Sequence, residues 1–178
     1  FDLVAAPADA EVRILGDAEY LLLLNGVRIG SNRFVSGAVL DRYRVERWLA
    51  PGRNRLVVEL RSPVGAGGLR FELLAGGQQL VRSDGSWTIY RTNWRGLFGE
   101  RPMPAGERPR LLGRSPLGRW GSPGLGPVRP TFEDALATAQ PIPSALVRRT
   151  GVQEPWRRSA GRSSRPASLG PLVEFDFG

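Results

Sequence analysis

The 178 residues contain no cysteine, no histidine, no lysine and a single methionine. The missing cysteine removes disulfides, thiolate metal ligands and cysteine nucleophiles, and the missing histidine removes imidazole ligands and His-based triads. Acid–base chemistry would fall to carboxylates alone. A disulfide-free chain can live in a reducing or an oxidising compartment, so the sequence leaves cytoplasmic and secreted locations open. No run approaches the roughly 18 apolar residues of a membrane helix, and no basic-then-apolar leader opens the chain. The chain reads as soluble, with no membrane partner.

What stands in place of lysine is arginine, which supplies all 25 basic residues and a net charge of +8. Residues 1–90 carry eleven arginines against ten acidic groups, whereas residues 91–178 carry fourteen against seven. Arginine neutralises phosphates, but here the excess sits in irregular sequence and not on a folded face interleaved with aromatics. No nucleic-acid partner is expected. Wholesale Arg for Lys, with abundant Ala, Gly and Pro, is a compositional habit that bears on association in general.

The first ninety residues alternate short strand patterns with turn signals at the spacing of a sandwich or barrel. In "LLLLNGVRIG", Asn25-Gly26 is the preferred pair for a type I′ hairpin turn. Leu21 and Leu23 should face one side and Leu22 and Leu24 the other, which marks an inner strand. Glu11 to Ile14 alternates and should break at Gly16-Asp17. Asp41 to Val45 alternates with Tyr43 and Val45 inward, and Pro51-Gly52 turns the chain. Arg55 to Arg61 reads as a core strand, Leu69 to Leu73 as a half-buried one. Gly76-Gly77 and Asp84-Gly85 turn into strands at Gln79 and Trp87. The fold class is all-β: a jelly-roll or galactose-binding-like β-sandwich with long irregular loops and at most one short helix.

Four segments follow from this pass: 1–91 as the sandwich core, 92–130 as an irregular Gly/Pro/Arg-rich loop packed on it, 131–168 as a short helix and linker, and 169–178 as the first strand of a following β domain. Trp94, Leu97, Phe98, Leu111, Leu112, Leu117 and Trp120 argue for order in the loop region, since a solvated linker lacks large apolar groups. Thr131 should cap a helix with Glu133 and Asp134 in its first turn. Pro141 and Pro143 should stop it. The opening Phe1 and the strand-like close at Val173 to Gly178 read as an excerpt from a longer polypeptide.

The order of elements resembles the N-terminal β-sandwich of α-L-rhamnosidase-like glycoside hydrolases. The matching residues are Tyr20, Asn25-Gly26 with Gly30, and Tyr43 with Val45. Leu49, Pro51, Gly52 and Asn54 form an "L-x-P-G-x-N" turn ahead of Leu56 to Leu60, and Asp84-Gly85-Ser86-Trp87 matches a "D-x-S-W" pattern. Gln140 to Pro143 resembles the link to the next domain, and Phe175 to Gly178 its opening strand. In such enzymes the catalytic carboxylates lie in a separate (α/α)₆ barrel. The resemblance therefore implies a non-catalytic accessory domain that braces the catalytic domain of the same polypeptide and contacts carbohydrate weakly or indirectly.

Stacking on a sugar needs exposed aromatic rings with planar polar groups beside them, in loops at one end of a sandwich. Trp94, Arg95 and Trp120 are the carbohydrate-binding candidates. Burial as plugs over the open end of the sandwich is the competing and favoured reading, because large aromatics are mostly buried. Trp48 and Trp87 belong to the core, and Trp156 to an arginine-rich arm. A glycosidase pair needs carboxyl groups about 5–9.5 Å apart, but Glu133-Asp134 reads as helix-cap electrostatics and Asp84 as turn chemistry, so no catalytic residue is assigned. No clustered Asp/Asn run offers the six to eight oxygens that calcium takes, and neither metal nor cofactor is expected. Two other functions stay open: an independent carbohydrate-binding module, and a polyanion binder acting through the arm Arg148 to Arg165.

Overall fold

Asn25 and Gly26 adopt φ values of 49° and 84°, the positive pair a type I′ turn requires. They join β3 (Glu19–Leu24) to β4 (Val27–Arg33). The computed structural model describes residues 1–35, 37–62, 67–90, 105–138, 147–150 and 172–175. β3 is the middle strand of a three-stranded antiparallel sheet in the order β4-β3-β7, where β7 spans Leu56–Arg61. Its central place explains the leucine run: Leu22 and Leu24 are buried on one face and Leu23 on the other. β7, read as a core strand, is instead an edge strand, and its residues are half-buried or exposed.

The opposing sheet has five strands in the order β10-β5-β2-β8-β9. These are β2 (Ala10–Asp17), β5 (Leu40–Arg44), β8 (Gly68–Ala75), β9 (Gln78–Arg82) and β10 (Leu125–Val128). β10 runs parallel to β5, and the other pairs are antiparallel. Val12 and Ile14, Tyr43 and Val45, and Phe71 and Leu73 meet Tyr20, Leu22 and Leu24 in one buried cluster. The period-two alternation thus places each apolar stripe between the layers, as a sandwich requires. A short ladder of β1 (Asp2–Leu3) with β6 (Gly52–Arg53) lies apart from these sheets. The second compact unit, residues 138–178, contains the antiparallel pair β11 (Val147–Thr150) and β12 (Leu172–Phe175).

Three expectations change. β2 does not break at Gly16-Asp17 but runs through both residues. A Cβ at Gly16 would lie 2.7 Å from the Tyr20 Cβ and 2.9 Å from Leu60 Cδ2, so the glycine marks a close approach of the sheets and not a turn. Trp87 to Tyr90 forms no strand, only a bridge from Ile89 to Glu107. The Trp87 ring packs edge-on against Phe71 with centroids 5.3 Å apart and donates its N–H to Arg82 O at 2.6 Å. Within 92–130, where sequence predicted only loop, Leu125–Val128 adds a strand to the larger sheet.

Asn25 also joins the hairpin to the Pro51-Gly52 turn. Its Nδ2 donates to Asn54 Oδ1 at 2.9 Å and to Trp48 O at 2.8 Å, and its Oδ1 accepts from Arg55 N at 2.7 Å. Asn54, fully buried, donates to Ala50 O and Gly52 O and accepts from Ala50 N. A buried amide satisfied on both ends stabilises a turn that no apolar residue could hold. The helix α1 (Phe132–Thr138) follows the expected cap: Thr131 Oγ1 accepts from Asp134 N, and the Asp134 carboxylate accepts from Thr131 N at 3.0 Å. This is the reciprocal arrangement of a capping box.

Candidate functional site

Of the carbohydrate-binding candidates, Trp94 and Arg95 lie outside the described residues, as does Trp156. Trp120 is described, in a short 3₁₀ turn at Gly118–Trp120. Its indole N–H donates to the Asp17 carboxylate at 2.6 Å. Its ring lies so close to Gly68 that an added Cβ there would stand 2.6 Å from Cζ2. Nearby, Arg70 donates to Ser115 Oγ at 3.0 Å. Leu15 and Asp17 occupy the outward face of β2, yet they are only 6% and 2% exposed. A strand buried on both faces needs a cover, and the segment bearing Trp120 provides contacts to that outer face.

A polar cluster that sequence reading did not foresee lies inside the sandwich. Asp41, on the inward side of β5 with Tyr43, is 6% exposed. Its carboxylate accepts from Tyr20 hydroxyl at 2.6 Å, from Asn32 Nδ2 at 2.8 and 3.1 Å, and from Arg129 Nη1 at 2.8 Å. The Tyr43 hydroxyl lies 3.0 Å from that of Tyr20. Because Tyr20 gives its proton to Asp41, Tyr43 supplies the proton of the second contact. Gly30 makes room for the Tyr43 ring, since a Cβ there would come 2.7 Å from its hydroxyl oxygen.

Burial, foremost, raises the Tyr20 and Tyr43 pKa values above the ordinary phenol, and the Asp41 hydrogen bond raises that of Arg129. The phenols therefore stay protonated as donors. This cluster fastens β3 and β4 of one sheet to β5 of the other and to the residue that follows β10. A carboxylate with every lone pair occupied positions structure and leaves nothing free to move a proton. The only trace in the sequence is an aspartate sharing parity with Tyr43 and Val45.

Glu11, Asp84 and Asp134 are also engaged. Glu11 accepts from Arg42 Nη2 at 2.7 Å and Arg13 Nε at 2.8 Å, and the Arg42 hydrogen bond holds its carboxyl below the usual range. Asp84 accepts from Ser86 Oγ and Ser86 N, which lower its pKa and close the turn. Asp134, lowered first by the Thr131 backbone N–H, pairs with Arg47 at 2.8 Å. The Arg47 guanidinium in turn lies 4.0 Å over the Trp48 ring, a cation–π contact. Among the described residues, no group of three or more potential metal-ligating side chains converges.

Fold and geometry together define an all-β sandwich module in which Glu11, Asp41, Asp84 and Asp134 are committed to ion pairs, turns and caps. No protein-family profile and no curated protein matches the sequence. Among solved structures, the Streptomyces avermitilis α-L-rhamnosidase complexed with L-rhamnose matches with a TM-score of 0.53 at 22% identity, covering 70% of this chain and 13% of that one. A GH78 family rhamnosidase of Bacillus sp. GL1 matches with a TM-score of 0.38 at 24% identity, over 49% of this chain and 10% of that chain. This chain thus spans about an eighth of the length of the Streptomyces enzyme. It shares its fold with a region of that enzyme, the family its sequence resembles.

Proposed function

We propose that this chain is a non-catalytic accessory β-sandwich of a multidomain, α-L-rhamnosidase-like glycoside hydrolase, of the jelly-roll, galactose-binding-like kind, and that it braces the catalytic domain of the same polypeptide. The observation that carries the reading is the fold shared with 13% of the Streptomyces enzyme. The engaged state of Glu11, Asp41, Asp84 and Asp134 agrees with it, since glycoside hydrolysis needs a carboxyl pair facing a sugar-sized gap. The same sandwich hosts many unrelated roles, so the test must reach function directly.

The purified chain should release no product from an aryl α-L-rhamnoside. In the longer hydrolase that this reading requires, deleting residues 1–178 should lower the melting temperature of the remainder and shorten its active life at elevated temperature. Turnover by the chain alone overturns the non-catalytic role. A hydrolase that melts unchanged after the deletion overturns the bracing role.

A further inference from the structure

The turn at Asn25-Gly26 holds a reactive pair as well as a bend. Of the four asparagines in the chain, Asn25 alone is followed by glycine. A backbone nitrogen can attack the side-chain carbonyl of the asparagine before it, and glycine, with no Cβ, leaves that approach unhindered. A β-turn bonds its first C=O to its fourth N–H, so the third residue, here Gly26, keeps its N–H out of that bond. Apart from the adjacent residues, no heavy atom lies within 4 Å of where a Gly26 Cβ would stand. Both residues of the pair are exposed, so water reaches them.

The electrophile, by contrast, is held. Asn25 Nδ2 uses both its protons, on Asn54 Oδ1 at 2.9 Å and on Trp48 O at 2.8 Å, and Oδ1 accepts from Arg55 N at 2.7 Å. Ring closure would carry the Asn25 Cγ to bonding distance of Gly26 N and away from these three partners. Asn54 is buried and bonded to Ala50 and Gly52, so it cannot follow that rotation. Three hydrogen bonds must therefore open before the pair can react.

We propose that Asn25 is a spontaneous deamidation site that the native hydrogen bonds hold off, so that its conversion records how long the turn has stood open. In the reaction Gly26 N loses its proton and bonds to Asn25 Cγ, the Cγ–Nδ2 bond breaks, and Nδ2 leaves with that proton as ammonia. Water then opens the cyclic imide at either carbonyl. The product at position 25 is an aspartate, or an isoaspartate with one more methylene in the backbone. Either product lacks the donor amide, and an aspartate sets a carboxylate oxygen against two acceptors, Asn54 Oδ1 and Trp48 O. The link between the hairpin and the Pro51-Gly52 turn is lost, and in water the change is one-way. The site stands whether or not the chain braces a hydrolase.

The test is to incubate the full chain at neutral pH, with and without urea, and then cleave after Arg13 and Arg28, since residues 14–28 contain Asn25 as their sole side-chain amide. Mass spectrometry of that fragment reads the change of amide to acid, and its isoaspartate share reports the cyclic imide. The unfolded chain should convert at least about tenfold faster than the folded one, the weight of one net hydrogen bond or more. Arg55 N donates to the same carboxamide, so the hydrogen-exchange protection of that amide should match the ratio of the two rates. Asn54→Ala should speed conversion of the folded chain about tenfold. If that variant does not fold, the comparison with Arg55 exchange decides alone. Asn25→Asp should melt below the parent. Equal rates in folded and unfolded chains, no acid in either, a mismatch with Arg55 exchange of more than about tenfold, or parental melting of Asn25→Asp each overturns the proposal. None of these outcomes bears on rhamnoside hydrolysis or on the bracing of a partner domain.

Discussion

Asp41→Ala should be the most damaging single substitution in the polar interior. The change strands the Tyr20 hydroxyl, the Asn32 amide and the Arg129 guanidinium, which now donate to the carboxylate over 2.6 to 3.1 Å. Removing one partner of a buried ionic cluster costs about 3–5 kcal/mol, because the survivors remain desolvated. Against a total domain stability of about 5–15 kcal/mol that is a large share. The melting temperature should fall by roughly 10–20 °C. Arg129→Gln removes only one donor, from a side chain 39% exposed, and should cost about 1 kcal/mol after solvent screening. Urea denaturation at neutral pH, with the slope unchanged so that midpoints can be compared, separates the two. If Asp41→Ala costs under about 1 kcal/mol, or no more than Arg129→Gln, the cluster does not hold the sheets together as argued.

Four further outcomes are expected. Asn25→Ala and Asn54→Ala should be non-additive by about 1 kcal/mol in a double-mutant cycle, since the two side chains share the hydrogen bond from Asn25 Nδ2 to Asn54 Oδ1, and additive losses would refute their coupling. Gly30→Ala should cost about 1–3 kcal/mol by overpacking against Tyr43, and an unchanged urea midpoint would show that the ring has room to retreat. Trp120→Ala should cost about 2–4 kcal/mol through lost packing over Gly68 and the lost bond to Asp17, and a parental melting curve would contradict its place on the sheet. Arg42 holds the Glu11 carboxyl below its ordinary 4.5, so the folded state takes up that proton less readily than the unfolded chain. The stability from Glu11 is complete above 4.5 and is lost as pH falls toward the lower folded value. Glu11→Gln should flatten stability against pH in that acid range, which denaturation midpoints at a series of pH values would reveal.

Local chemistry was legible wherever a few neighbouring residues decide the conformation. Asn25-Gly26 tolerates the positive φ of its turn, the alternation through Phe71 and Leu73 assigns faces, and Thr131 with Asp134 caps its helix regardless of what lies elsewhere. Trp87 misled because, among the described residues, its β-prone neighbourhood makes only the single bridge from Ile89 to Glu107, and its ring packs on Phe71. Gly16 misled because a glycine that relieves a clash between sheets looks the same in sequence as one that turns the chain. β10 escaped notice because Leu125–Val128 holds Gly126 and Pro127, poor strand formers that the parallel neighbour β5 nevertheless recruits.

The amino-acid order by itself determined the all-β class, the inner leucine strand and the resemblance to a rhamnosidase sandwich, because period-two alternation and turn preference act over a handful of residues. Only the tertiary structure decided what each polar side chain does. Asp41 meets Arg129 across 88 positions and Trp120 meets Asp17 across 103, while Glu19, Arg33 and Arg61 become neighbours through strand register alone. Contacts at that separation arise from how two sheets stack and which strands pair, and the energy that selects them belongs to the whole packed interior.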